Sequence, residues 1–358
     1  MEAAFLSELR LKEFRNFREA AFQFSPGLNI LVGPNGTGKT NLLEAIGYLS
    51  LARSFRYHAD RELTTWGCTG FELTGTVRRG NGKVQVRIVY HPGRKELTIN
   101  GTTQRILDLL GLFPTVTFGP DDVHLVKGPP ALRRRFLDRE LCQTDRSYAQ
   151  YLISYHRVLK QRNAILKQVA EGKVKRGDVD PWNVQLVGLA QTIVERRKIF
   201  LERLNALACK LYFRLAEKQT ISVVYRPSLP DGKDCLEQIT ERLEREVAAG
   251  ATLWGPHRDD FDFYIDGRPA RHAASQGEQR SLVLVLKLAE VVYFGEILGI
   301  RPCLLLDDVF SELDKRRQEV LLQLINEGGQ SFITTTEVAF LPASLLNKGN
   351  ILTFPLGK

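Results

Sequence analysis

The sequence has 358 residues, 43% hydrophobic and 25% charged, which is the balance of an ordinary folded protein too long for one small core. No apolar run approaches the roughly 18 residues of a membrane span, and the N-terminus has no basic segment leading into an apolar core, so a cytosolic protein without membrane contact is expected. The net charge of +9 is concentrated: residues 127–226 hold 21 Lys/Arg against 9 Asp/Glu, while the other 258 hold 29 against 32, which points to a polyanionic partner such as nucleic acid.

In chain order, Leu6 to Phe17 and Ala20 to Phe24 read as strands, and Pro26-Gly27 as a turn. Leu28 to Val32 is a short buried strand, followed at once by a glycine loop and a helix beginning at Asn41. Gly70 to Val77, Lys83 to Tyr90 and Glu96 to Ile99 form an antiparallel meander broken by Gly-Asn-Gly and His-Pro-Gly turns. Pro129-Pro130 opens a helical run over 131–170, and Pro181 suits the first turn of a second long helix, Trp182 to Lys218. The two make an antiparallel hairpin across a polar, basic gap at 171–180. Phe261 to Gly267 alternates and ends in a hairpin turn, Ser281 to Phe294 is an apolar helix, and Cys303 to Leu306 and Ser331 to Thr335 are buried strands of a parallel sheet. An α/β nucleotide domain drawn from both chain ends, 1–120 and 251–358, is expected around an inserted basic helical lobe at 121–250. The five cysteines are scattered without metal-ligand spacing and read as reduced structural thiols.

The loop Gly33-Pro34-Asn35-Gly36-Thr37-Gly38-Lys39-Thr40 matches GxxxxGK[ST] in full. Its backbone N–H groups and the following helix N-terminus suit the β- and γ-phosphates of ATP, Lys39 supplies a cation, and the Thr40 hydroxyl suits Mg²⁺. Leu304-Leu305-Leu306-Asp307-Asp308 delivers two carboxylates to the same sheet edge. There Asp307 would hold Mg²⁺, directly or through water, and Asp308 would orient the attacking water. Between them lies Ser275-Gln276-Gly277-Glu278-Gln279-Arg280, a polar turn opening a helix, and after them Ser311-Glu312-Leu313-Asp314. The order of glycine loop, Ser-x-Gly turn and acidic strand is the layout of ABC-type ATPases, so the expected fold is an α/β ABC-type P-loop ATPase head with a mixed sheet, plus the helical lobe.

The chain resembles the RecF family, a DNA-repair branch of the SMC-like ABC ATPases. The resemblance rests on Leu11 to Phe17, Gly128-Pro129-Pro130 with Arg133 to Asp138, Gly255 to Asp260, and Phe310 to Asp314, in the right order over nearly the whole chain. It implies an ATP-dependent homodimer in which the glycine loop of one copy faces Ser275, Gly277 and Gln279 of the other. It also implies double-stranded and gapped or junction DNA as ligand, RecR and RecO as partners in helping RecA load on single strands, and a place in DNA damage repair, recombination, replication and the SOS response. Asp308 where many ABC ATPases have Glu, and Thr334-Thr335-Thr336 where many have His, predict a weak, DNA-dependent ATPase that acts as a switch; a threonine hydroxyl there would bond the γ-phosphate. Arg53 and Arg56 stand where an arginine reaches the phosphates in related ATPases and fit that role or a plain surface one, and His257 and Arg258 fit a structural role or a nucleotide contact.

The basic residues expected to meet DNA are Arg133, Arg134, Arg135, Lys160, Arg162, Lys167, Lys173, Lys175, Arg176, Arg196, Arg197 and Lys198. With no helix-turn-helix, zinc finger or base-stacking sheet, the expected mode is phosphate contact without sequence preference. The competing reading is the ATPase subunit of an ABC transporter, which DNA-stimulated hydrolysis would discriminate. A small-molecule kinase would leave the Ser275-x-Gly277 turn unexplained, and a nuclease would need a separate carboxylate cluster.

Overall fold

The structure is a computed structural model, and the residues it describes are 2–56, 59–215, 219–230 and 235–355. Among the described residues six helices exceed ten residues: α1 (Lys39–Leu51), α2 (Pro130–Thr144), α3 (Arg146–Ala170), α4 (Asp180–Leu215), α5 (Gln276–Leu298) and α6 (Lys315–Asn326). The chain divides into two compact units, one of 1–123, 211–217 and 280–358, the other of 124–210 and 218–279.

The first unit is built on a five-stranded parallel sheet in the order Asn350–Thr353, Leu28–Val32, Ser331–Thr335, Cys303–Asp307, Thr115–Phe118. The inner strands are buried almost throughout, as expected of a sheet covered on both faces. Their carboxyl ends open on one edge, which therefore gathers the residues following Val32, Phe118, Leu306 and Thr335. A second, largely antiparallel sheet carries Glu2–Phe14, Phe17–Gln23 and the meander Phe71–Arg79, Gly82–His91, Arg94–Ile99 and Thr102–Gln104.

Helix α1 lies between the sheets. Leu42, Leu43, Ile46 and Leu49 pack into one core with Leu9, Leu11, Leu73 and Ile88 on one side and Leu31, Leu305 and Phe332 on the other. Such a position buries the helix nearly all round, and every residue from Leu42 to Ser50 is buried. Buried Gln330 joins the sheets: its amide donates to Leu6 O and Ser25 O at 2.8 Å each, and its Oε1 accepts from Leu6 N at 2.8 Å.

The second unit combines α2, α3 and most of α4 with a three-stranded antiparallel sheet, Ile221–Arg226, Asp260–Ile265 and Arg268–Pro269. The helical run expected over 131–170 is two helices. Asp145 leaves helical geometry (φ −137°) and its side chain accepts from Tyr148 N at 3.0 Å, so it caps a new helix instead of continuing the old one. The hairpin of α3 and α4 is present: Arg162 near the end of α3 bonds Asn183 near the start of α4, and Tyr148 near the start of α3 bonds Arg197 further along. The second helix is described to Leu215; its expected end, Lys218, lies outside the described residues.

The boundaries shift from 120/121 and 250/251 to 123/124 and 279/280. Residues 251–279 belong with the lobe because Asp260–Ile265 pairs with Ile221–Arg226, and Asp259 and Asp260 are held by Arg197 and Arg133. The lobe is thus α/β where an all-helical insertion was expected. Among the described residues no helix is long and apolar enough to cross a membrane, and none of the five cysteines is in a disulfide.

Candidate functional site

The glycine loop leaves the Leu28–Val32 strand and enters α1 with Gly38 as N-cap, at φ 105°. A Cβ there would lie 2.5 Å from Asn16 Nδ2, so both the left-handed backbone and the close neighbour demand glycine. At Gly33 a Cβ would collide with the carbonyl of Phe354. The loop thus wraps the N-terminus of α1, and the first N–H groups of a helix are the ones that suit an anion.

Lys39 is buried at the loop centre, and its Nζ donates to Gly33 O at 2.5 Å and Pro34 O at 2.8 Å. Burial lowers its pKa, opposed by the nearby charges of Asp308 and Asp307. The ammonium is therefore held inside the loop by its own carbonyls, poised for a stronger anionic partner. Thr37 Oγ1 donates to Pro34 O at 2.8 Å and closes the turn.

Thr40 Oγ1 donates to Asp307 Oδ1 at 2.9 Å across 267 residues of sequence. The same oxygen accepts from Thr334 Oγ1 at 2.8 Å. Thr334 Oγ1 in turn accepts from Asp308 N at 2.9 Å, which fixes its proton toward the carboxylate. Burial raises the pKa of Asp307, and the hydroxyls of Thr334 and Thr40 and the charge of Arg56 oppose that rise. Asp308 sits in the left-handed region (φ 50°, ψ 30°), a strained conformation for a non-glycine residue and a common companion of functional turns.

Of the run Thr334-Thr335-Thr336, from which a hydroxyl was expected to bond the γ-phosphate, two hydroxyls are engaged within the protein. Thr334 serves the two aspartates, and Thr335 Oγ1 donates to Glu337 O at 2.8 Å. Of the two candidate arginines, Arg56 is the one whose charge reaches Asp307. It is placed by a network the sequence did not disclose. Arg15 makes a bidentate pair with buried Glu44 of α1 (2.8 and 3.1 Å), and Ser54 Oγ also donates to Glu44. Ser54 Oγ accepts from Arg56 N at 2.9 Å, and Asn41 links Arg56 to Asn16. The only sequence signal was that Arg15 and Asn16 lie in the Leu11–Phe17 stretch.

Ser275 and Gly277 lie in the second unit, at the start of α5. The helix begins earlier than expected, so the Ser-x-Gly turn is its first turn. Ser275 N and Oγ both donate to Glu278 Oε2 at 2.8 Å, and Glu278 N returns a bond to Ser275 Oγ at 3.3 Å, a reciprocal capping box. Glu278 is held below the usual carboxylate range, first by Gln219 and then by Ser275. Gln279 is buried, its amide donating to Ala274 O at 3.0 Å, so its side chain shapes the turn instead of leaving it.

The block Gly255 to Asp260 has structural work within the second unit. Tyr155 OH stands 2.6 Å from His257 Nδ1, and a Cβ on Gly255 would lie 2.5 Å from that hydroxyl. Buried Asp259 accepts from Arg197 at 2.9 Å and from Ser228 N at 2.8 Å, as well as from Tyr225. Burial pushes His257 down to about 4, so it is neutral at pH 7. Three of the arginines expected at a DNA surface are likewise internal. Arg133 pairs with Asp260 (2.6 and 2.9 Å), Arg162 with Glu246 (2.6 Å) over the face of Trp254, and Arg197 with Asp138 and Asp259. Arg134 donates to Asp259 O at 2.9 Å. Arg135, Lys160, Lys167, Lys173, Lys175, Arg176, Arg196 and Lys198 are exposed. Among these Arg176 pairs with Glu244, Lys173 with Glu171 and Arg196 with Asp145.

Comparison with known proteins agrees with this architecture. The family model described as the RecF/RecN/SMC N terminal domain matches residues 5–344. A DNA replication and repair protein RecF of Moorella thermoacetica is 47% identical over 358 residues, covering 100% of this chain and 97% of that protein. Another, of Symbiobacterium thermophilum, is 42% identical, covering 93% and 92%. Solved structures described as the recombination mediator protein RecF-ATPrS and RecF-ATP in the RecFOR pathway match with TM-scores of 0.88 and 0.87, each at 32% identity, over 95% of both chains and over 94% and 92% respectively. The Smc head domain of Pyrococcus furiosus shares the fold alone, at TM-score 0.51 and 16% identity over 94% of this chain and 91% of that one. The chain belongs to the RecF family of DNA replication and repair proteins, built on the ABC-type ATPase fold of the SMC heads.

Proposed function

We propose that the chain is an ATP-gated DNA clamp: two copies close on double-stranded DNA at gaps or junctions when ATP is bound, and slow hydrolysis releases them. In this reading it works in the cytoplasm with RecR and RecO, in the RecFOR pathway to which its solved RecF relatives belong, to help RecA load on single strands. The observation that carries the reading is the Thr40–Asp307 bond at 2.9 Å, which joins the glycine loop to the acidic strand at one sheet edge.

The donors there fit Mg²⁺. A hydroxyl and a carboxylate are hard oxygens, and Mg²⁺ favours one or two carboxylates completed by substrate phosphates and water. Thr40 and Asp307 would hold the ion, which supplies charge neutralisation at the phosphates when bound. Residues 33–40 bind the phosphates, with Lys39 turning from the loop carbonyls to the phosphate oxygens. Asp308 orients the attacking water as general base, and its side chain, one methylene shorter than Glu, accounts for slow turnover. Ser275, Gly277 and the N-terminus of α5 meet the nucleotide of the second copy, with Gln279 holding the turn in shape. Because ATP binds the closed pair and not the separate copies, its affinity is linked to dimerisation.

The exposed cations of the second unit, with Lys160, Lys167, Lys175 and Lys198 foremost, supply phosphate contacts. Duplex binding measured by anisotropy is expected to require ATP and to weaken steeply with salt, log K falling by about 0.9 per phosphate contact against log salt. Binding of equal strength with and without ATP, or indifferent to salt, would contradict the proposal.

A further inference from the structure

Asp122, four residues beyond the strand Thr115–Phe118, has no place in the chemistry so far, and neither does a buried lysine on α5 that faces it. Lys287 is 3% exposed and stands 3.8 Å from Asp122 Oδ1 and 3.2 Å from buried Glu290 one turn further along its own helix. The other oxygen of Asp122, Oδ2, accepts from Gly119 N at 2.8 Å. Gly119 in turn packs on the acidic strand: Phe118 pairs in register with Leu306, and a Cβ on Gly119 would lie 3.6 Å from Asp307 Cβ. All these residues are in the first unit.

We infer that Lys287 and Asp122 form a positioning relay, through which helix α5 sets the backbone at Gly119 and thereby the placement of the Asp307 carboxylate.

A buried ammonium is unfavourable unless it is paired, so Lys287 is confined to the short arc between its two carboxylates. Asp122 uses one oxygen for that charge and the other for the Gly119 amide, so a shift of α5 along its axis is passed to the loop as a pull on one carboxylate. Glu290 lies on α5 itself and moves with the lysine, whereas Asp122 lies on the loop after Phe118. Lys287 is twelve residues from Ser275, about 18 Å along the helix at 1.5 Å per residue. The helix that would feel a second copy at its first turn therefore carries the charge that holds the Asp307 loop. The inference rests on the proposed role of Asp307 toward Mg²⁺.

The test uses the full chain and four variants: Asp122→Asn, Lys287→Met, the double variant, and Lys287→Arg. Each is measured for metal-free binding of a fluorescent ATP analogue, for the Mg²⁺ concentration at half-maximal hydrolysis, and for single-turnover rate. Asn at 122 keeps an oxygen for Gly119 N–H and turns an uncharged NH2 toward Lys287 in place of the second carboxylate oxygen, so it decides the question even if Lys287→Met, which removes the cation beside buried Glu290, fails to fold. The relay predicts that Asp122→Asn raises the Mg²⁺ requirement and slows hydrolysis about tenfold, the weight of one charge-assisted contact, with metal-free binding unchanged. The double variant is then no worse than the worse single, and Lys287→Arg retains most of the rate. Unchanged Mg²⁺ dependence in Asp122→Asn, or single-variant losses that add in the double, would overturn it. Asp307→Asn separates the two ideas: if it too leaves Mg²⁺ dependence intact, the reading of Asp307 fails; if it alone changes that dependence, the relay fails.

Discussion

Asp307 is a carboxylate under opposing influences. Burial favours its neutral form, while hydroxyls from Thr40 and Thr334 and the charge of Arg56 favour the anion that a metal requires. Thr334 is the sharper lever, because its hydroxyl accepts from Asp308 N and can donate only to Asp307. Thr334→Val keeps the shape and removes both bonds. Its loss pushes the Asp307 pKa further up, so the acid limb of Mg²⁺-dependent ATP hydrolysis is expected to move to higher pH and the rate at pH 7 to fall about tenfold. Thr334→Ser is expected to restore both, and a Val variant with the parent pH profile would remove Thr334 from the mechanism.

His257 gives a second titration, one of stability. Its pKa is about 4 in the folded chain and 6.5 in the unfolded one, so between those values the unfolded state binds more protons. Stability is therefore lost as pH falls from 6.5 toward 4, by about 3 kcal/mol from this one group. Thermal melts across that window are expected to show a flatter acid limb for His257→Gln. An unchanged limb would place the acid sensitivity elsewhere.

At the scale of elements, the strands of the parallel sheet were legible because burial on both faces leaves continuous apolar runs, as in Leu28–Val32 and Cys303–Leu306. The glycine loop and the paired aspartates were legible because their spacing is short and local. The break at Asp145 was not, since both flanking helices carry the same apolar spacing and only a single cap separates them. Nor was the fate of the arginines. The carboxylates that bury Arg133, Arg162 and Arg197 lie 127, 84 and 62 residues further along the chain, and a local window reads all three as solvated charge.

That distinction can be measured. Arg197→Met strands Asp138 and Asp259 and is expected to destabilise the protein by about 3–5 kcal/mol in denaturant unfolding. Lys160→Ala and Lys198→Ala are expected to leave stability within about 0.5 kcal/mol and to lower the salt slope of DNA binding by about 1 each. A stable Arg197→Met protein with weakened DNA binding would reverse the assignment of inside and outside.

At the scale of the whole molecule, the glycine loop and the acidic strand belong to one unit and the Ser275 turn to the other. Helix α5 begins in the second unit and ends in the first. A composite site shared between copies assigns Lys39 and Asp308 opposite phenotypes. Lys39→Met loses nucleotide and hence the pair, whereas Asp308→Asn keeps nucleotide and cannot release it. Light scattering of the purified chain with ATP, with ADP and without nucleotide, each with and without duplex DNA, tests this most directly. The account predicts a doubling of mass with ATP alone among the nucleotide states, strengthened by DNA, absent in Lys39→Met and persistent in Asp308→Asn. One and the same mass under every condition would contradict it.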